Sequence, residues 1–272
     1  MHREIDWIFD RRANGITLAL VTEIFRLTDA ERDELVAAAV KFTRGRGPVI
    51  VSVGDESTEK AVRHSRAAES AGADALMAIP PALTVCSDEE ISGYFDAMVD
   101  ATALPLIIQD PSGFMGNSIA IETQAAVHNR YPGRIMFKPE AHPIIEQIKA
   151  LRDATRGAGS VFEGAGGQAL VESFPHGVNG TMPLTACVWA LVALWRALLD
   201  GDDAKAQSIH APLYDLCAPL KTVDAFIAVD KMLLVKQGIY QNTLIRGPLG
   251  AIPDPEAEAT ALAAYDRLRA VV

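Results

Sequence analysis

Cysteine is scarce in this sequence: Cys86, Cys187 and Cys217 are the only three in 272 residues. They do not form a Cys-x-x-Cys spacing, so neither a disulfide framework nor a zinc site is indicated, and each reads as a small buried hydrophobe. Excess positive charge is missing too. Lysine and arginine number 25 against 35 acidic residues, and the formal net charge of -10 repels nucleic acid backbones and anionic membrane surfaces. No apolar run reaches the roughly 18 residues of a membrane span, and Met1 is followed by the charged His2-Arg3-Glu4 rather than a signal core. Nucleic acid and membrane are therefore not expected partners, and the chain reads as cytoplasmic.

Phosphate-cradling and metal-binding signatures are also wanting. No Gly-x-Gly-x-x-Gly turn or Gly-x-x-x-x-Gly-Lys-Ser/Thr loop follows an apolar run, and Gly164-Ala165-Gly166-Gly167 is the nearest approach. The six histidines, His2, His64, His128, His142, His176 and His210, are scattered without a metal-ligand spacing. No metal and no cofactor is expected.

What is present is a repeat of short apolar runs alternating with amphipathic stretches, the order of an α/β protein with parallel strands. The expected strands are Gly15-Leu20, Pro48-Val53, Ala75-Ile79, Pro105-Gln109, Ile135-Lys138, Val161-Glu163 and Val178-Met182. Their starts recur about every 30 residues, the length of one βαβ unit. Between them lie helical patterns such as Asp29-Phe42, which Thr28 is placed to cap and Glu31 to close as a capping box. After Met182 only helix is expected, over Leu184-Leu199, Asp203-Leu220 and Asp224-Gln237, with a last helix over Asp254-Val272 opened by Pro253 and Pro255. Seven βα-type repeats followed by helices favour a TIM-type (β/α)8 barrel over 1-183, with a C-terminal helical extension over 184-272 packed on it as one structural unit.

In a parallel barrel the active site lies at the carboxyl ends of the strands. Lys138 ends the run Ile135-Met136-Phe137, where an ammonium is costly to desolvate and burial favours the neutral amine. A neutral amine is a nucleophile able to form a Schiff base with a keto acid. A lysine that snorkels past the rim, or one paired with Glu140, fits the position equally. Gln109 and Asp110 end the preceding run. Gln109 can orient a substrate but not transfer a proton, whereas Asp110 is either a base or a turn residue before Pro111.

Taken together, these residues resemble the dihydrodipicolinate synthase and N-acetylneuraminate lyase family of class I Schiff-base aldolases. The likeness runs through Leu27-Thr28-Asp29-Ala30-Glu31-Arg32, Val49-Ile50-Val51-Ser52-Val53-Gly54, Ala71-Gly72-Ala73-Asp74-Ala75-Leu76-Met77 and Gly177-Val178-Asn179-Gly180-Thr181-Met182. The resemblance implies a barrel with a three-helix extension, and a lysine ending the sixth strand that forms a Schiff base with pyruvate or another 2-keto acid. Lys138 matches that position. Catalytic roles are then expected for Lys138, Gln109 and Asp110, and substrate contacts for Thr22, Glu23, Glu140, Gly164, Thr181 and Met182.

Departures from the family pattern bear on the reaction. The Gly-Thr-Thr-Gly-Glu turn after the second strand is reduced to Val21-Thr22-Glu23, Gln109 replaces the proton-relaying tyrosine, and Phe114 stands where the synthases carry a substrate-binding arginine. These changes make the synthase reaction itself unlikely to be the activity and mark a divergent branch. The expectation is a lyase acting on a 2-keto acid, pyruvate-type or a 2-keto-3-deoxy sugar acid, by aldol cleavage, condensation or dehydration. A catalytically impaired barrel that senses a keto acid or sugar acid is the alternative. Trp189, Leu191, Leu194, Trp195 and Leu198 suggest an apolar face broad enough to pack on a second chain or on the barrel's own helices, and the resemblance implies a homo-oligomer, dimer or tetramer. Finally, His2-Arg12 matches the family's first helix and Gly15-Leu20 its second strand. The first strand is missing, so seven strands are expected with a breach between the second and the eighth of the family count. A start at an internal methionine of a longer product is the favoured reading.

Overall fold

In a computed structural model of the chain, residues 1–250, 252 and 254–272 are described. Pro253, expected to help open the last helix, lies outside the described residues. Seven strands form one parallel sheet in sequential order: β1 (Ile16–Leu18), β2 (Val49–Ser52), β3 (Ala75–Ala78), β4 (Leu106–Asp110), β5 (Ile135–Pro139), β6 (Ser160–Glu163) and β7 (Gly180–Thr181). Each expected strand is present; β1, β2, β3 and β7 are shorter than expected, while β4, β5 and β6 each gain one residue at one end. The connecting helices are α1 (His2–Asp10), α2 (Asp29–Thr43), α3 (Thr58–Ala71), α4 (Asp88–Ala101), α5 (Ile121–Arg130), α6 (Ile144–Ala154) and α7 (Leu170–Ser173). After β7 come α8 (Val188–Asp200), α9 (Asp203–Cys217), α10 (Val223–Lys236) and α11 (Pro255–Val271). The α2 capping box forms as expected, with Thr28 accepting from the Glu31 N–H and Glu31 returning the bond.

Strand register sorts the sheet into two faces, because successive side chains point to opposite sides and paired residues share a side. Leu18, Val51, Leu76, Leu106 and Ile135 lie in one row, with Ala78, Ile108, Phe137 and Val161 in the next on the same face. All are buried in the core against the helices, and the Phe137 ring sits 5.8 Å from His128 of α5. The opposite face carries Thr17, Ile50, Ser52, Met77, Ile107, Gln109, Met136, Lys138, Ser160, Phe162 and Gly180. It is the concave inner face of the curled sheet.

The sheet does not close: β1 and β7 are its two ends and are not paired to each other. That is the expected breach. Inner-face residues Thr17, Ile50, Met136, Ser160, Phe162 and Gly180 are correspondingly only half-buried. α10 straddles the open side, since it packs both on the 3-10 turn Leu20–Thr22 after β1 and on the 3-10 turn Thr185–Cys187 after β7. Arg26 and Asp224 pair, as do Lys231 and Glu23, tying α10 to the β1 side. Asp230 accepts the Ala186 N–H at 2.8 Å and Gln237 donates to the Ala186 carbonyl at 3.0 Å, tying the same helix to the β7 side. Burial pushes the Asp230 carboxyl up to about 7.

The broad apolar face expected on α8 packs in part within the chain, with Trp189, Trp195 and Leu198 left half-buried. Trp195 meets Phe174 edge-on with ring centroids 5.4 Å apart, Trp189 meets Tyr265 at 6.1 Å, and Leu191 and Leu194 are buried. Cys187 and Cys217 are buried as small hydrophobes, while Cys86 is half-buried. No helix among the described residues is long and apolar enough to cross a membrane.

Candidate active site

The inner face becomes polar at the carboxyl ends of β4 and β5. The alternation that sends Phe137 outward sends Lys138 inward, and the register places Gln109 directly beside it. Glu140 follows two residues after Lys138 and so returns to the same side. Lys138 is 5% exposed, Glu140 4% and Gln109 1%, and Lys138 is the only buried lysine among the described residues. Its ammonium nitrogen Nζ lies 2.7 Å from Glu140 Oε1. Gln109 Nε2 donates to the other oxygen, Oε2, at 2.5 Å. A carboxylate accepts only, so this bond fixes the amide orientation and leaves Gln109 Oε1 as a buried acceptor without a partner. Gly164, after β6, leaves room for this carboxylate: a Cβ there would stand 2.7 Å from Glu140 Cγ.

A buried ion pair is a costly arrangement, because the desolvation of both charges offsets most of their attraction. Here its carboxylate has the Gln109 amide as a second donor, while the ammonium has no other side-chain partner among the described residues. Ser52 lies on the same face, fully buried, with an unpartnered Oγ. The inner face thus carries a buried amine, a carboxylate in contact with it, and two buried oxygens without a hydrogen-bond partner, Gln109 Oε1 and Ser52 Oγ.

Of the residues expected at the site, Lys138, Gln109, Glu140 and Gly164 are brought together. The others are engaged elsewhere. Asp110 uses both carboxylate oxygens on backbone N–H groups, of Ser112 at 3.0 Å and Ile119 at 3.0 Å, and so shapes the β4–α5 loop. Thr22 donates to the Ala19 carbonyl at 2.6 Å within the turn after β1, and Glu23, at φ 58°, is taken by Lys231 and by the Arg246 N–H. Thr181 pairs with Glu163 in register, on the outer face, and donates its hydroxyl to Glu163 Oε2 at 2.6 Å. Met182 contributes its N–H to the Glu163 carbonyl at 3.1 Å.

Glu163 and Ser52 were not singled out by the sequence reading. Glu163 is completely buried, and burial raises its carboxyl above the ordinary value although it accepts bonds from Thr181 and from the Ala165, Gly167 and Ala169 N–H groups. Its Cys217-facing position makes it the organiser of the β6–α7 loop. The sequence signal for it was the glycine-rich Gly164–Gly167 stretch that follows, whose N–H groups converge on a carboxylate. Ser52 had a signal as well, a single hydroxyl inside an otherwise aliphatic strand. No group of three or more metal-ligating side chains occurs among the described residues.

A model of the dihydrodipicolinate synthetase family matches residues 1–264. A probable 5-dehydro-4-deoxyglucarate dehydratase of Ralstonia nicotianae is 28% identical, with 96% of this chain and 84% of that relative covered. A 4-hydroxy-tetrahydrodipicolinate synthase of Thermomicrobium roseum is 29% identical over 79% of this chain and 72% of the relative. Among solved structures, the 4-hydroxy-tetrahydrodipicolinate synthase of Methylacidiphilum fumariolicum superimposes with a TM-score of 0.89 at 22% identity, over 99% of this chain and 89% of that one, a likeness of fold.

Proposed function

The chain belongs to the dihydrodipicolinate synthetase family, and from that premise we propose that it is a dehydratase-type lyase acting on a 2-keto-3-deoxy sugar acid through a Schiff base on Lys138. The observation that carries this reading is Lys138 itself, a buried lysine at the carboxyl end of a barrel strand whose inner-face surroundings are polar. An amine there attacks the ketone of a bound keto acid, and the resulting iminium withdraws electrons from the neighbouring carbon. The proton at that carbon becomes removable, and a hydroxyl one carbon further on can then leave as water.

One observation favours dehydration over condensation with a second, charged substrate. Phe114 packs edge-on against Phe226 of α10 with ring centroids 5.5 Å apart, so the β4–α5 loop presents an apolar ring where the resemblance places an arginine. The test is turnover of a panel of 2-keto-3-deoxy sugar acids beside condensation of pyruvate with an aldehyde. We expect dehydration that falls to below about one-thousandth in Lys138→Ala. Faster condensation than dehydration, or turnover that survives Lys138→Ala, would overturn the assignment.

A further inference from the structure

The proton chemistry of this site needs a group that reaches the reacting atoms, and the tyrosine implied by the resemblance is replaced by an amide that cannot transfer protons. The acidic groups near the strand ends differ sharply in what they touch. Asp110 has both oxygens bound to loop N–H groups. Glu163 lies on the outer face with Thr181. Glu23 is held by Lys231 and the Arg246 N–H. Tyr94, whose hydroxyl reaches the loop after β2, exchanges bonds with the Asp55 backbone, accepting from the N–H at 2.9 Å and donating to the carbonyl at 3.0 Å. Glu140 alone contacts the Lys138 Nζ, at 2.7 Å.

We propose that Glu140 is the acid–base catalyst of the reaction, and that Gln109 is its positioning residue. This inference rests on the Schiff-base reading of Lys138. Glu140 first takes a proton from the Lys138 ammonium, and the freed amine adds to the substrate ketone to give a carbinolamine. The protonated Glu140 then returns that proton to the carbinolamine hydroxyl, the C–O bond breaks, water leaves, and the iminium and the carboxylate remain. Next the carboxylate removes a proton from C3, and the C–H electron pair moves into a C2–C3 double bond to give a neutral enamine. In a 3-deoxy sugar acid the same proton passes to the C4 hydroxyl, the C4–O bond breaks, and a second water leaves as a conjugated iminium forms. Each step returns Glu140 to the state the next one needs, and no oxidant, reductant or metal enters the balance.

Gln109 holds Glu140 Oε2 at 2.5 Å, so the other oxygen is turned toward the reacting nitrogen. Its own Oε1 is a buried acceptor without a partner, suited to the hydroxyl of a polyhydroxylated substrate. Lys138 lies in β5 and Glu140 is the first residue after it, where its N–H donates to the Asp110 carbonyl at 2.9 Å and so holds it against the end of β4.

The test separates imine formation from proton transfer at carbon. Wild type, Glu140→Gln and Gln109→Leu are incubated with pyruvate in heavy water. The imine is trapped with borohydride after long incubation, and loss of the C3 protons is followed by NMR. In Glu140→Gln the equilibrium adduct on Lys138 is expected to persist while C3 exchange per adduct falls about 10²- to 10⁴-fold, and added formate is expected to restore part of the exchange in Glu140→Ala. Gln109→Leu should retain exchange at an intermediate rate. Wild-type exchange in Glu140→Gln, or equal loss of adduct and exchange, would overturn the catalytic role of Glu140. Absence of any adduct in the wild type would instead overturn the Schiff-base reading beneath it.

Discussion

The two faces of the sheet are made from the same strands yet obey different physics. On the outer face Leu18, Val51, Leu76, Leu106, Ile108, Ile135, Phe137 and Val161 form an apolar layer under the helices, which gives way to Asp110, Glu163 and Thr181 only at the carboxyl ends of the strands. On the inner face the same strands present Thr17, Ser52, Gln109, Lys138 and Ser160 among Ile50, Met77, Ile107, Met136 and Phe162, and part of it remains half-buried beside the breach. The outer face holds the fold together by removing apolar surface from water. The inner face carries polar groups whose burial opposes folding and whose chemistry a packed barrel could not supply. One residue of register separates Phe137 from Lys138, so a shift of one position would put the ring in the site and the amine in the core.

The largest effect expected from this contrast comes from making the inner face resemble the outer one. Lys138→Met combined with Glu140→Leu should abolish turnover, by more than about 10³-fold, while leaving stability unchanged or raising it by up to about 4 kcal/mol in urea unfolding. A double variant that is clearly less stable would show that the pair contributes to folding. The converse change, Phe137→Ala on the outer face, should cost about 3–5 kcal/mol of stability and leave kcat of the folded fraction within a few-fold of wild type. Loss of activity out of proportion to unfolding would break the division between the faces.

How far this division was legible in the sequence depends on the range of the contact. Alternation and spacing are local, so the seven strands, the Thr28–Glu31 cap and the strand-end position of Lys138 could be read from neighbouring residues. Register between strands is not local, and the Gln109–Glu140 bond and the turning of Thr181 to the outer face both depend on it. Longer range still, Glu23 was carried over as a substrate ligand, but Lys231, more than 200 residues later, takes its carboxylate once α10 crosses the breach. The partners of the α8 apolar face are equally non-local, because Phe174 and Tyr265 come from other elements.

The breach, where the two faces meet at open edges, gives the smallest and most specific prediction. Burial raises the carboxyl of Asp230 in α10 from the ordinary 3.8 to about 7. The folded state therefore binds a proton that the unfolded state has released between those values, so this group's contribution to stability is full below about pH 4 and is lost as pH rises toward 7. Asp230→Asn keeps an acceptor for the Ala186 N–H without the charge. Its melting temperature should exceed that of wild type at pH 8 and match it near pH 4, in scans of both proteins across that range. Equal melting temperatures at pH 8 would remove Asp230 from the account of how α10 closes the open side.

Whether the inner face carries a nucleophilic lysine is tested most directly by borohydride reduction of the wild-type protein with pyruvate or a 2-keto-3-deoxy sugar acid, read by peptide mass spectrometry. One reduced keto-acid unit per chain is expected, on the peptide containing Lys138, and none in Lys138→Ala. An adduct confined to exposed lysines such as Lys60 or Lys149, or no adduct with any keto acid tried, would contradict it.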